Sequence, residues 1–149
     1  MQCVSEDSST TVSVEITAIG DKPYVLIIDD DSAISSVVKL ILEMEDYAAL
    51  TISDSLQVLP FLQHMENNTR MPAVILLDLM MPGLSGYEIA AALAQHTSYA
   101  HIPIIIMTAD HRVSAANGIP GAVDLLTKPF QINVLLSKVE RYLSHAPCG

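Results

Sequence analysis

The chain has 149 residues, half of them hydrophobic, which suffices for one domain with a real core and argues against general disorder. Its 7 basic and 17 acidic residues leave a formal net charge of -10, which argues against the basic surface that a nucleic-acid partner needs. The opening MQCVSEDSST has no basic, apolar leader, and no apolar run is long enough to cross a bilayer, so a cytoplasmic protein without membrane insertion is expected.

Cys3 and Cys148 lie near opposite termini with no framework of spacings, which fits a reducing compartment. Residues 1–22 read as a tail or linker, although Val12, Val14 and Ile16 alternate as a short edge strand would. The domain is expected over 23–146, with a short tail at 147–149. Tyr24–Ile28 is a buried strand running into Asp29, Asp30, Asp31 and Ser32. Ile34, Val37, Val38, Ile41 and Leu42 then recur at helical spacing, giving a helix with one apolar stripe, capped by Asp31 or Ser32.

Tyr47–Ile52 is a weak second strand. The helix expected over Leu56–Met65 contains Pro60, which either kinks it or marks its start. Ala73–Leu77 is a third strand of branched apolar residues, and it delivers Asp78 just before the turn at Pro82 and Gly83. An Ala-rich helix follows over Gly86–Gln95, then an apolar strand over Ile102–Met107 ending at Thr108. Asp110–Gly121 has helical rhythm but few helix formers, and it holds Gly118 and Pro120. Ala122–Leu126 is a fifth strand, followed by Thr127, Lys128 and Pro129. An amphipathic helix from Ile132 to Leu143 completes the pattern.

Strand and helix alternate throughout, which implies a five-stranded parallel α/β sheet, doubly wound, with helices on both faces. Ligands of such sheets bind at the carboxyl ends of the strands. Four of the five strands bring polar residues there: Asp29 and Asp30, Asp78, Thr108 and Lys128. Carboxylates about 4 Å apart repel by about 4 kcal/mol per pair at an effective dielectric of about 20. A divalent cation removes that penalty, and hard oxygen ligands with room for water suit Mg2+. Hydroxyl, ammonium, metal and carboxylate together can handle a phosphoryl group, with the carboxylate as acceptor.

Four segments, VLIIDDD (25–31), LLDLMMPGLSG (76–86), IIIMTA (104–109) and LLTKPF (125–130), resemble those of response-regulator receiver domains, in the family's order. The resemblance implies a flavodoxin-like strand order, 2-1-3-4-5. It also implies Asp78 as phosphoacceptor, with Asp29, Asp30, Asp78 and the carbonyl of Met80 holding Mg2+. Thr108 would be the switch hydroxyl, and Lys128, joined to Pro129 by a cis peptide, the phosphate-binding lysine. The implied partners are a sensor histidine kinase and a downstream protein, with a homodimer as a further possibility. One departure is Leu125, where the family usually places an aromatic residue. With Leu125 there, the readout is expected to pass through Asp110–Gly121, ordered on phosphorylation.

Three other functions compete. A phosphohydrolase of the haloacid-dehalogenase type needs a carboxylate two residues after its nucleophile, but Met80 stands there, so turnover of outside substrates is not expected. A flavodoxin-like electron carrier would set the flavin phosphate against three aspartates, and the chain has no Trp to stack the ring. A receiver fold acting as an interaction module without phosphorylation is the remaining alternative. No DNA-binding or catalytic segment follows the last helix, so a stand-alone receiver, or one excised from a larger regulator, is expected.

Overall fold

A computed structural model describes residues 22–68, 70–113 and 118–143. Strand β1 (Tyr24–Ile28) leads to helix α1 (Ser32–Met44) and strand β2 (Ala48–Ile52). A 3-10 turn at Ser55–Gln57 opens into α2 (Val58–Asn67), followed by β3 (Val74–Asp78) and α3 (Gly86–Ala94). Strands β4 (Ile104–Thr108) and β5 (Ala122–Thr127) precede the closing helix α4 (Ile132–Leu143). The sheet order is β2-β1-β3-β4-β5, and every neighbouring pair is parallel. The expected doubly wound sheet with order 2-1-3-4-5 is therefore the observed one.

Every residue of β1, β3 and β4 is buried, because helices cover both faces of the three inner strands. Alternate side chains feed two separate cores. Tyr24, Leu26, Ile28, Ile75 and Leu77 join Phe61, Leu62, Ile89 and Leu93 on the α2/α3 side. Val25, Ile27, Val74 and Leu76 meet Val38, Leu42, Leu135 and Val139 on the α1/α4 side. The edge strand β5 is only partly covered. Asp124 on it receives Lys138 Nζ at 2.5 Å and the Tyr142 hydroxyl at 3.3 Å, which ties α4 to the sheet.

Several local expectations are sharpened or corrected. Asp31, not Ser32, caps α1, accepting the amides of Ala33 and Ile34 at 3.1 and 3.2 Å. Val37 leaves the expected stripe and is 56% exposed, so the buried line of α1 runs through Ser35, Val38 and Leu42. Pro60 does not kink α2. It is the third helical residue, where a backbone N–H would have no intrahelical acceptor to lose. On either side of residues 114–117, the connection after β4 shows turns at 111–112 and at 118–121, with Gly118 and Gly121 at φ of 88° and 77°. Those left-handed glycines, with Pro120 between them, end any helical run there. Residues 114–117, on which the rest of that expectation falls, lie outside the described residues, as do 1–21 with the Val12–Ile16 alternation. Among the described residues, no helix is long and apolar enough to cross a membrane.

Candidate functional site

The carboxyl ends of β1 and β3 are neighbours, and the sheet therefore sets Asp29 beside Asp78. Asp29 extends the ladder of β1 by donating its N–H to Ile52 O at 3.1 Å. Its side chain is fully buried, accepts the Asp31 N–H at 3.0 Å, and pairs with Lys128 Nζ at 2.7 Å. Asp30 is exposed. The three consecutive acids divide the work: Asp31 caps the helix, which leaves Asp29 and Asp30 to the crevice.

Asp78 is the last residue of β3 and only 5% exposed. Carboxylate oxygens of Asp29, Asp30 and Asp78 all lie within 4.8 Å of one another. Burial, and then the charge of Asp29, raise the Asp78 carboxyl to about 6, with Lys128 and the Met80 amide opposing. Lys128 Nζ stands 3.7 Å from Asp78 Oδ1, so one ammonium serves two carboxylates. The donor set fits a hard divalent cation. It offers three carboxylate oxygens on a concave edge, one of them on an exposed residue where water can complete a shell.

Met80 donates its N–H to Asp78 Oδ1 at 3.3 Å, and its side chain is exposed. Gly86 explains why this loop lies so close. A β-carbon there would come within 2.4 Å of Asp78 O and 2.6 Å of Leu79 Cα, so only glycine lets α3 begin against the end of β3. The helix start is fixed by a capping box between Ser85 and Glu88.

Thr108 ends β4, fully buried, and its hydroxyl oxygen accepts the Asp110 N–H at 3.0 Å. Its carbonyl accepts the Lys128 N–H at 2.7 Å, which joins the ends of β4 and β5. The Lys128–Pro129 peptide is cis. The structure thus gathers Asp29, Asp30, Asp78 and Lys128 directly, with Thr108 bonded to the backbone of Lys128. Leu125 is half-buried against the α2/α3 core.

Two features had no signal in the sequence. Arg112 folds back on Asp110, with Nε to Oδ1 at 3.0 Å and a terminal nitrogen to Oδ2 at 2.9 Å, which pulls the carboxyl down to about 2. Ser55, distant in sequence, bonds to the loop that carries Met80.

The family model for the response regulator receiver domain matches residues 25–140. The transcriptional regulator RpaA of Synechocystis sp. is 34% identical over 123 residues, covering 81% of this chain and 49% of that protein. The phosphate regulon regulator PhoB of Pseudomonas aeruginosa is 34% identical over 129 residues, covering 84% and 53%. The chain thus spans about half the length of these curated relatives. Among solved structures, the receiver domain of Francisella response regulator 1452 is 32% identical with a TM-score of 0.69, covering 83% of this chain and 98% of its own. The Vibrio cholerae chemotaxis protein CheY4 is 27% identical with a TM-score of 0.70, covering 82% and 99%. With agreement running from the first strand into the last helix, the chain belongs to the response regulator receiver domain family of two-component signalling.

Proposed function

We propose that Asp78 accepts a phosphoryl group from the phosphohistidine of a sensor histidine kinase, in a Mg2+-dependent reaction. The observation that carries this is the placement of Asp78 at the end of the central strand, within 4.8 Å of two other carboxylates and 3.7 Å from an ammonium. An oxygen of Asp78 attacks phosphorus, the P–N bond breaks, and the electron pair leaves on the imidazole. Asp29, Asp30, Asp78 and the Met80 carbonyl would hold the cation, which supplies positive charge against the carboxylates and the transferred oxygens. Lys128 keeps its flexible ammonium beside Asp78 Oδ1, ready for a phosphoryl oxygen. Thr108 is the hydroxyl that would follow the new charge, exchanging its bond from the Asp110 amide.

Hydrolysis of the acyl phosphate should be slow, because the residue two after the acceptor is Met80, which cannot move a proton. The module is a switch in this reading, and its product is a changed surface for a downstream protein. Acetyl phosphate with Mg2+ should add one phosphoryl mass to the wild type, seen by intact-mass spectrometry. The Asp78→Asn variant should gain none, and neither should the wild type with the cation chelated. Equal labelling of wild type and variant would move the acceptor elsewhere. A fully folded wild type that never labels, from acetyl phosphate or from a kinase, would favour an interaction module without phosphorylation.

The cation set has its own test. Asp30→Ala removes one hard oxygen and one charge from a site that is otherwise kept, so Mg2+ affinity should fall by at least about tenfold. Calorimetric titration showing the wild-type affinity would remove Asp30 from the set.

A further inference from the structure

Among the described residues, the buried polar side chains are Asp29, Ser35, Ser55, Asp78 and Thr108. Three of these form the crevice, and the Ser35 hydroxyl donates to the Asp29 carbonyl at 3.3 Å. Ser55 is the remaining one. It is 3% exposed on the 3-10 turn after the edge strand β2, and a buried hydroxyl is costly unless its bonds are made. Both are made to the loop between β3 and α3. The hydroxyl donates to Pro82 O at 2.9 Å and accepts the Leu84 N–H at 2.9 Å.

The ends of that loop are held independently. Leu79 N–H bonds to Met107 O at 3.3 Å, Gly86 N–H to Leu79 O at 3.0 Å, and Ser85 is locked by its capping box. Between them, the hydroxyl of Ser55 bridges a carbonyl and the amide two residues on, the place a water would take in an exposed turn. Gly83, inside the bridge, has φ of 82°, and a β-carbon there would stand 2.8 Å from Ser55 Oγ. Serine and glycine are therefore fitted to each other, and the clasp closes on Pro82 and Leu84, in the turn that follows Met80.

We infer that Ser55 is a positioning residue whose hydroxyl holds the Met80–Leu84 segment in place and so sets how tightly the crevice binds its divalent cation. The inference rests on the reading that Asp29, Asp30, Asp78 and the Met80 carbonyl form the cation site. Partners behind a ligand tune metal affinity by orienting it, and removing one typically costs about 10–100-fold.

The test is a Mn2+ titration of the full chain, followed by the electron-paramagnetic-resonance signal of free Mn2+. Ser55→Ala should bind Mn2+ about tenfold more weakly. Its labelling rate from acetyl phosphate should return to the wild-type value once the cation saturates, because no acceptor group has changed. Tyr99→Phe is the structural control. It deletes a 3.0 Å bond to Glu66, in a contact between α2 and the α3–β4 connection, and should leave Mn2+ affinity unchanged. Gly83→Ala attacks the clasp from the other side and should also weaken binding. The double variant should lose less than the two single losses multiplied, since Ala at 55 removes the oxygen that the new β-carbon meets. Wild-type affinity in Ser55→Ala, or an equal loss in Tyr99→Phe, would overturn the positioning role. A wild type that binds no Mn2+ would overturn the cation site itself, a separate and recognisable result.

Discussion

Replacing Gly86 by alanine should lower the melting temperature by about 10 °C, from a single added methyl group. The atoms that methyl would meet are backbone, Asp78 O at 2.4 Å and Leu79 Cα at 2.6 Å, and backbone cannot rotate out of the way. Either α3 lifts from the sheet or the end of β3 shifts. Both movements break the Gly86–Leu79 hydrogen bond of 3.0 Å, and the second displaces Asp78 itself. Overpacking a tight site costs about 1–3 kcal/mol and more when the backbone must yield, so about 3 kcal/mol is expected. Acetyl phosphate labelling should slow in the same variant, while Asp31 and the α1 cap, remote from the clash, stay intact. Thermal melts decide the matter, and a midpoint within about 2 °C of wild type would show that the close approach carries no weight.

The second expected result is a gain. Without metal, Asp78→Asn should be more stable than the wild type although it lacks the proposed phosphoacceptor. Carboxylates within 4.8 Å of one another repel by about 3 kcal/mol per pair at an effective dielectric of about 20. Lys128 offsets part of this, but its closer partner is Asp29 at 2.7 Å, against 3.7 Å for Asp78. Asparagine keeps the shape and removes one charge. The Asp78 carboxyl, raised from 3.8 to about 6, carries a cost on the order of 3 kcal/mol when ionised.

The sign of the pH dependence follows. Between about 4 and 6 the folded chain keeps a proton that the unfolded chain has lost, so this carboxyl makes metal-free stability fall as pH rises through that window. Above about 6 the penalty is complete. The variant lacks it, so its advantage in melting temperature should open across the window and be full at neutral pH. Saturating Mg2+ should shrink or reverse the gap, since a cation held by the proposed Asp29, Asp30 and Asp78 set would bind the folded wild type more tightly. Melts with a chelator at acid and neutral pH test the idea, and equal midpoints at neutral pH would refute the repulsion.

How much of this was legible beforehand depended on whether the physics was local. Strands β1, β3 and β4 announced themselves because a strand covered on both faces must be apolar at every position, and each run ended at the polar residue it delivers. The edges were harder to read, and β5, half-covered, extends to Thr127 because its ladder with β4 does. Val37 kept helical spacing with the buried residues, yet among the described residues it stays exposed, and periodicity cannot supply a neighbour. The segment after β4 had helical rhythm, but its described C-terminal end follows Gly118, Pro120 and Gly121.

The sequence by itself determined the alternation of elements, the sheet class and the identities of the acids, hydroxyl and lysine at strand ends. These follow from burial patterns and turn residues, which act over a few positions of the chain. Only the tertiary structure decided which groups touch. Asp29, not Asp78, is the nearer partner of Lys128, 99 residues away, because the sheet order sets the end of β1 within its reach. Ser55 reaches Pro82 and Leu84 across the carboxyl edge, and no local pattern marks a serine for that task. Gly86 was readable as the start of a helix, but the reason for glycine is that a β-carbon there would come within 2.4 Å of Asp78 O once α3 is packed against β3. Contacts of that kind depend on distances between elements, which side-chain chemistry alone does not encode at any one position.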